Sequence, residues 1–227
     1  MIRFFILAIF VCVSHSSKAV IELSTLNIPT DGVVPLGHNL WHATAVGSDL
    51  EETTLDLRLD AITLRIETVV PNANLFVGVT TSQFFVPNMS EIVAIMNVDP
   101  LILDPVLNTV SEVRLLPSDA TPNPILTAGQ NYWLVVGVTE PDYEQEDLPT
   151  GLYRWSYASL GSPVESIAGW SIPSKIANAG TAGVLWAPSD ETPYSFGFEV
   201  TAIPEPSVMV CLVGLFALAY VGGRRRP

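Results

Sequence analysis

Between residues 55 and 70 the apolar side chains fall on every second position. Leu55, Leu57 and Leu59 alternate with Asp56, Arg58 and Asp60, and Ile62, Leu64 and Ile66 then alternate with Thr63, Arg65 and Glu67. A period of two sets one row of side chains against a core and the other in water, the geometry of a half-buried β-strand. A helix needs a period of about 3.6, which this stretch lacks. The apolar phase moves from odd to even positions at Ala61-Ile62. Such a slip requires a β-bulge, a break between two strands, or a twist that exchanges faces. Pro71-Asn72-Ala73-Asn74 reads as a turn and residues 75–80 as the next strand, so the two predict a hairpin.

The rest of the middle of the chain carries the same signals. Tyr132-Trp133-Leu134-Val135-Val136-Gly137-Val138 is aromatic, β-branched and apolar on both faces, as a central strand between two packed layers would be. Ala128-Gly129-Gln130-Asn131 before it reads as a turn, as does Asp31-Gly32. Residues 110–116 are extended, residues 117–124 form a turn-rich connector, and residues 91–97 suit either a strand or a short helical turn. Long helical patterns are absent between the two ends of the chain. Alternation with abundant Pro and Gly predicts an all-β body, a two-sheet β-sandwich, jelly-roll-like, of about 8–10 strands.

The two ends differ from this body. Residues 1–19 have a charged start at Arg3, an apolar run over residues 4–13, and a close at Ser17-Lys18-Ala19. That is the pattern of a secretory signal peptide cut after Ala19, with a permanent N-terminal anchor as the alternative. Residues 204–227 read Pro204-Glu205-Pro206-Ser207, an apolar run over 208–221, Gly222-Gly223, then Arg224-Arg225-Arg226-Pro227. The run of 14 residues would make a helix of about 21 Å. A bilayer core is about 30 Å thick and usually takes about 20 residues, so the span is short. Three adjacent arginines beside it act as a membrane stop signal and favour the cytoplasmic side. A buried core helix is the alternative.

This tail resembles the PEP-CTERM sorting signal of bacteria that make extracellular polysaccharide. The resemblance implies recognition of Pro204, Glu205 and Pro206 by an exosortase, a membrane cysteine protease, after signal peptidase has acted at the other end. It divides the chain into a signal peptide (1–19), an extracytoplasmic domain (20–203) and a sorting and anchor segment (204–227). Residues 126–138, with Tyr153-Arg154-Trp155-Ser156-Tyr157 and Tyr194-Ser195-Phe196-Gly197-Phe198-Glu199-Val200, resemble the choice-of-anchor R domain of bacterial surface proteins. The segment 156–183, rich in Ser, Ala and Gly, departs from that pattern. The resemblance implies a strand-and-turn fold rather than an activity.

Charge and cysteine content limit the function of the body. Residues 20–203 hold 22 of the 23 acidic side chains but five basic ones, Arg58, Arg65, Arg114, Arg154 and Lys175, an excess of 17 negative charges. Nucleic acid binding needs clustered Lys and Arg and is excluded as an expectation. The two cysteines, Cys12 and Cys211, belong to the ends, so the body has no disulfide and no thiol nucleophile.

His38 and His42 lie four apart, but Asn39 stands where a metalloprotease helix carries glutamate, so packing around Trp41 is favoured over metal ligation. Gly169-Trp170-Ser171 is followed at the second position by Pro173, not the glycine of a hydrolase nucleophile elbow. Glu140, Asp142, Glu144, Glu146 and Asp147 crowd one loop. A solvated acidic loop is the plain reading and a calcium site completed by distant residues is the alternative. Trp41, Trp133, Trp155, Trp170 and Trp186 would stack on sugars if exposed, although most tryptophans in a sandwich are core. The expectation is a non-enzymatic structural or binding domain at the cell surface or in the matrix, with no cofactor unless calcium. Extracellular polysaccharide is its candidate partner. The alternatives are a hydrolase acting on that polysaccharide and a calcium-stabilised adhesion module.

Overall fold

The structure is a computed structural model that describes residues 20–48, 55–69, 74–99, 109–139, 153–158, 169–180, 183–191 and 193–203. Fourteen strands run through them: β1 (Val20–Ser24), β2 (Thr30–Leu36), β3 (Trp41–Ser48), β4 (Asp56–Thr68), β5 (Leu75–Gln83), β6 (Val86–Asn97), β7 (Val110–Pro117), β8 (Ile125–Leu126), β9 (Tyr132–Val138), β10 (Tyr153–Ala158), β11 (Trp170–Ser171), β12 (Ile176–Ala179), β13 (Trp186–Ser189) and β14 (Phe196–Ile203). No α-helix occurs among the described residues, and none there is long and apolar enough to cross a membrane. The signal segment 1–19, the acidic loop residues Glu140, Asp142, Glu144, Glu146 and Asp147, and the tail 204–227 lie outside the described residues.

The alternating stretch is one strand, β4, of 13 residues. It is paired along both edges. β14 and then β10 follow one edge, and β8 and then β7 the other, all antiparallel. Of the three ways to move the apolar phase, the chain uses the bulge: Val200 faces Leu59 and Glu199 faces Ala61, which leaves Asp60 as the extra residue. Leu57 and Leu59 before the bulge, and Ile62, Leu64 and Ile66 after it, therefore all point into one core. Asp60 is turned outward, where its carboxylate takes Arg58 at 2.6 Å and the hydroxyl of Thr201.

Hydrogen bonding joins the strands into one continuous sheet in the order β1-β14-β4-β7-β6-β5-β9-β3-β12-β13, with β10 carrying β2, β8 beside β4 and β11 beside β3. A single apolar cluster contains Leu64, Val113 and Phe198 from the β4 region and Val77, Leu134 and Val136 from the β5–β9 region. Each such side chain removed from water contributes about 1.5–3 kcal/mol. A second cluster, with Trp41, Ala43, Trp133, Val135 and Ala177, covers the other side of β3 and β9. That is why every residue of β9 is buried, as its sequence predicts for a central strand. Its Gly137 is required by this packing, because a Cβ there would sit 2.1 Å from Cδ2 of Trp41.

Three expectations are corrected. β5 does not pair with β4 as a hairpin. It lies between β6 and β9, because both edges of β4 are already taken by β14, β10, β7 and β8. Asp31-Gly32 is not a turn but part of β2. Gly32 is there for space, since a Cβ would come within 2.4 Å of the Tyr157 hydroxyl on β10. Fourteen strands replace the expected 8–10, because β8, β11, β12 and β13 are two to four residues long. That is too short to show a period.

Candidate functional site

The two histidines do not form a metal pair. In His42 on β3, Nε2 lies 2.9 Å from the carbonyl of Pro35, and Nδ1 lies 2.6 Å from Asn178 Oδ1 and 2.9 Å from the Tyr194 hydroxyl. The Pro35 carbonyl can only accept, so Nε2 carries the proton, and Nδ1 of the neutral ring accepts, from the Tyr194 hydroxyl or from the Asn178 amide turned to present its nitrogen. Burial lowers the His42 pKa below 6.5, against its two hydrogen bonds, and holds the ring neutral at pH 7. Burial likewise pushes the Tyr194 phenol upward. The His38 carbonyl accepts from the indole of Trp41 at 3.1 Å. The His42 ring ties β2, β3, β12 and residue 194 together, and His38 meets the Trp41 indole through its backbone carbonyl.

The arginines are also committed. Arg58 meets Asp60, Arg65 meets Glu112, Arg114 meets Glu199 and Arg154 meets Glu67, at 2.6, 2.6, 2.6 and 3.1 Å. The Arg114 guanidinium grips both Glu199 oxygens and holds that carboxyl below its usual range. Lys175 is the one basic side chain of the body with no carboxylate partner among the described residues.

Lys175 belongs to a cleft of about 310 Å³ at one end of the fold. Trp133 and Tyr132 lie at its base, Asn131, Ser171 and Pro173 line it, and Phe85 stands on its rim. The ammonium of Lys175 lies 5.6 Å from the centre of the Phe85 ring, within cation–π range. Ser82 and Ser48 also line the cleft, and both hydroxyls hold its frame. Trp133 Nε1 donates to Ser82 Oγ at 3.1 Å, and the Gly129 amide donates to Ser48 Oγ at 2.8 Å. Ser171 ends the two-residue strand β11 and lines the cleft, so Gly169-Trp170-Ser171 does not form a strand-to-helix elbow.

Phe85 and its neighbour Phe84 form the two-residue turn between β5 and β6, closed by the Gln83–Val86 pair. Both have positive φ, 50° and 65°. A two-residue hairpin whose central residues both have φ > 0 normally carries Asn-Gly or Asp-Gly. Phenylalanine there costs about 1–2 kcal/mol per residue. Phe84 is 88% exposed and Phe85 74% exposed. The two positions that most favour glycine thus hold large apolar rings in water. Sequence reasoning looked for exposed aromatics among the tryptophans. Four of them, Trp41, Trp133, Trp155 and Trp170, are buried. The signal it passed over was an aromatic pair between two strands exactly one tight turn apart.

No family model matches the chain, and no curated protein is significantly similar to it.

Proposed function

We propose that the chain is an exported surface or matrix protein, sorted by an exosortase through residues 204–227, whose body binds extracellular polysaccharide without catalysis. The body acts as a two-layer, jelly-roll-like sandwich. The one apolar cluster shared by the β4 and β5–β9 regions supports that reading. The terminal patterns supply the address. The observation that carries the binding role is the cleft where a lysine with no carboxylate partner among the described residues and an exposed phenylalanine ring meet amide and hydroxyl groups. Sugar rings stack on aromatic faces and hydrogen-bond at their edges. A sugar carboxylate would find in Lys175 a cation with no carboxylate partner among the described residues.

The test is retention of the full chain on the producing bacterium's own extracellular polymer, for wild type and Lys175→Ala, with and without chelator. Retention that survives chelator and is lost in K175A supports the cleft. Retention lost with chelator and indifferent to residue 175 would favour the calcium-stabilised adhesion reading. Steady release of reducing sugar would favour the hydrolase.

A further inference from the structure

We propose that the Phe84-Phe85 hairpin tip docks into the surface of the bilayer that holds the chain's own C-terminal apolar run. This rests on the reading of residues 204–227 as a membrane anchor and adds an orientation of the body that the reading does not contain.

β14 ends at Ile203, opposite Asp56. The Asp56 carboxylate accepts from the Ala128 amide at 2.8 Å. The next amide, Gly129, donates to Ser48 Oγ at 2.8 Å. Asn131 then accepts from the Ser82 amide at 3.0 Å, and Phe84 follows two residues after Ser82. A short series of hydrogen bonds therefore crosses one end of the body from Ile203 to the hairpin tip. The exit of the chain and the two exposed rings lie at the same end.

Reach then sets the distance. Four residues, Pro204, Glu205, Pro206 and Ser207, separate Ile203 from the start of the apolar run at Val208. A fully extended chain spans at most about 3.3–3.6 Å per residue, so these four residues cover at most about 13–14 Å. With the run embedded, the Ile203 end of the body is held against the headgroups, and the tip is at that end. Large apolar rings on a polar support partition into the headgroup–acyl boundary, about 5–10 Å deep. Positive φ at both residues makes a two-residue reversal directly after the last β5–β6 pair, and both side chains there are largely exposed. The opposite end of the body also has exposed apolar side chains, Val184 and Leu185 at 72% and 82%. They follow Gly183, which packs near Trp41, on the far side of the β3–β9 strands from the tip. Those residues should stay in water. Phe85 also walls the Lys175 cleft, so docking and filling of the cleft by polymer exclude one another while the anchor is in place.

The test uses the full chain reconstituted into phosphatidylethanolamine–phosphatidylglycerol vesicles, with a brominated phosphatidylcholine added as a tryptophan quencher. Phe84→Trp and Leu185→Trp each place a reporter at an exposed position, one at each end. Flotation with the vesicles reads the anchor separately. The expected result is flotation of all three proteins, with quenching and a blue shift of the added emission in F84W and neither in L185W, relative to wild type. Flotation with no added quenching in F84W overturns the docking while leaving the anchor reading intact. Equal quenching at both positions overturns it too, because the body then has no fixed orientation. Failure to float removes the anchor and the docking with it. A blue shift of F84W on adding extracellular polymer without vesicles, together with no quenching in vesicles, assigns the tip to the polymer instead.

Discussion

His42 is the residue whose chemistry most directly reports on the fold. Its pKa is depressed by burial, so the unfolded state binds a proton more readily than the native state. Stability is then full above the unfolded value of about 6.5 and falls as pH drops through the depressed native pKa. We expect the denaturation midpoint to fall between pH 7 and 5. In His42→Gln, which keeps polar atoms near Pro35 and Asn178 but does not titrate, that part of the slope should be missing. Glu199, held low by Arg114, contributes in the same direction but at lower pH, through the carboxylate range, so the two can be separated. The turn residues give the opposite kind of prediction. Phe84→Asn with Phe85→Gly installs the pair that the backbone favours. It should raise stability by about 1–3 kcal/mol in a urea titration while removing the exposed rings. A variant that is more stable yet poorer at its task is the mark of a position shaped by function rather than folding.

Among the elements, β4 organises the rest. Its bulge at Asp60 lets an outer row of Arg58, Arg65 and Glu67 coexist with an inner row that switches parity. The outer row pairs with Glu112 on β7 and Arg154 on β10, and Arg114 on β7 pairs with Glu199 on β14, next to β4. The partly exposed Arg65–Glu112 and Arg114–Glu199 pairs contribute about 0–1 kcal/mol each and weaken in salt, whereas the Glu67 carboxylate of the third pair is buried. Most of the holding energy lies on the inner face. Leu64→Ala, at a position with no exposure, should cost about 2–5 kcal/mol. Arg114→Ala should cost under about 1 kcal/mol. Chemical denaturation of the two variants checks the ranking, and a larger loss for R114A would mean that the surface ladder, not the core, holds β4 in place.

At the scale of the whole molecule, the body should melt as one cooperative β-rich unit whose midpoint is unchanged by reductant, since residues 20–203 contain no cysteine. Circular dichroism of the chain with and without reductant measures this. Intact mass of the protein isolated from its native host tests the proposed processing, and a dominant species retaining Met1 and Arg226 would end it. Read by itself, the sequence established the strand that the structure places at Asp56–Thr68, the phase slip within it and the two-sided burial of residues 132–138. Each is a local or periodic property, written in neighbouring residues and decided by which side chains tolerate water. Partnership was not legible in the same way. That β5 leaves β4 and joins β9, that Gly32 and Gly137 exist to admit Tyr157 and Trp41, and that Lys175 meets Phe85 across about ninety residues of chain all depend on which strand edges remain open after others have paired. Edge occupancy is a property of the assembled sheet. Phe84-Phe85 shows the limit most sharply, because neither residue type signals a turn, and only the tertiary structure places them where the backbone reverses and no core is left to receive them.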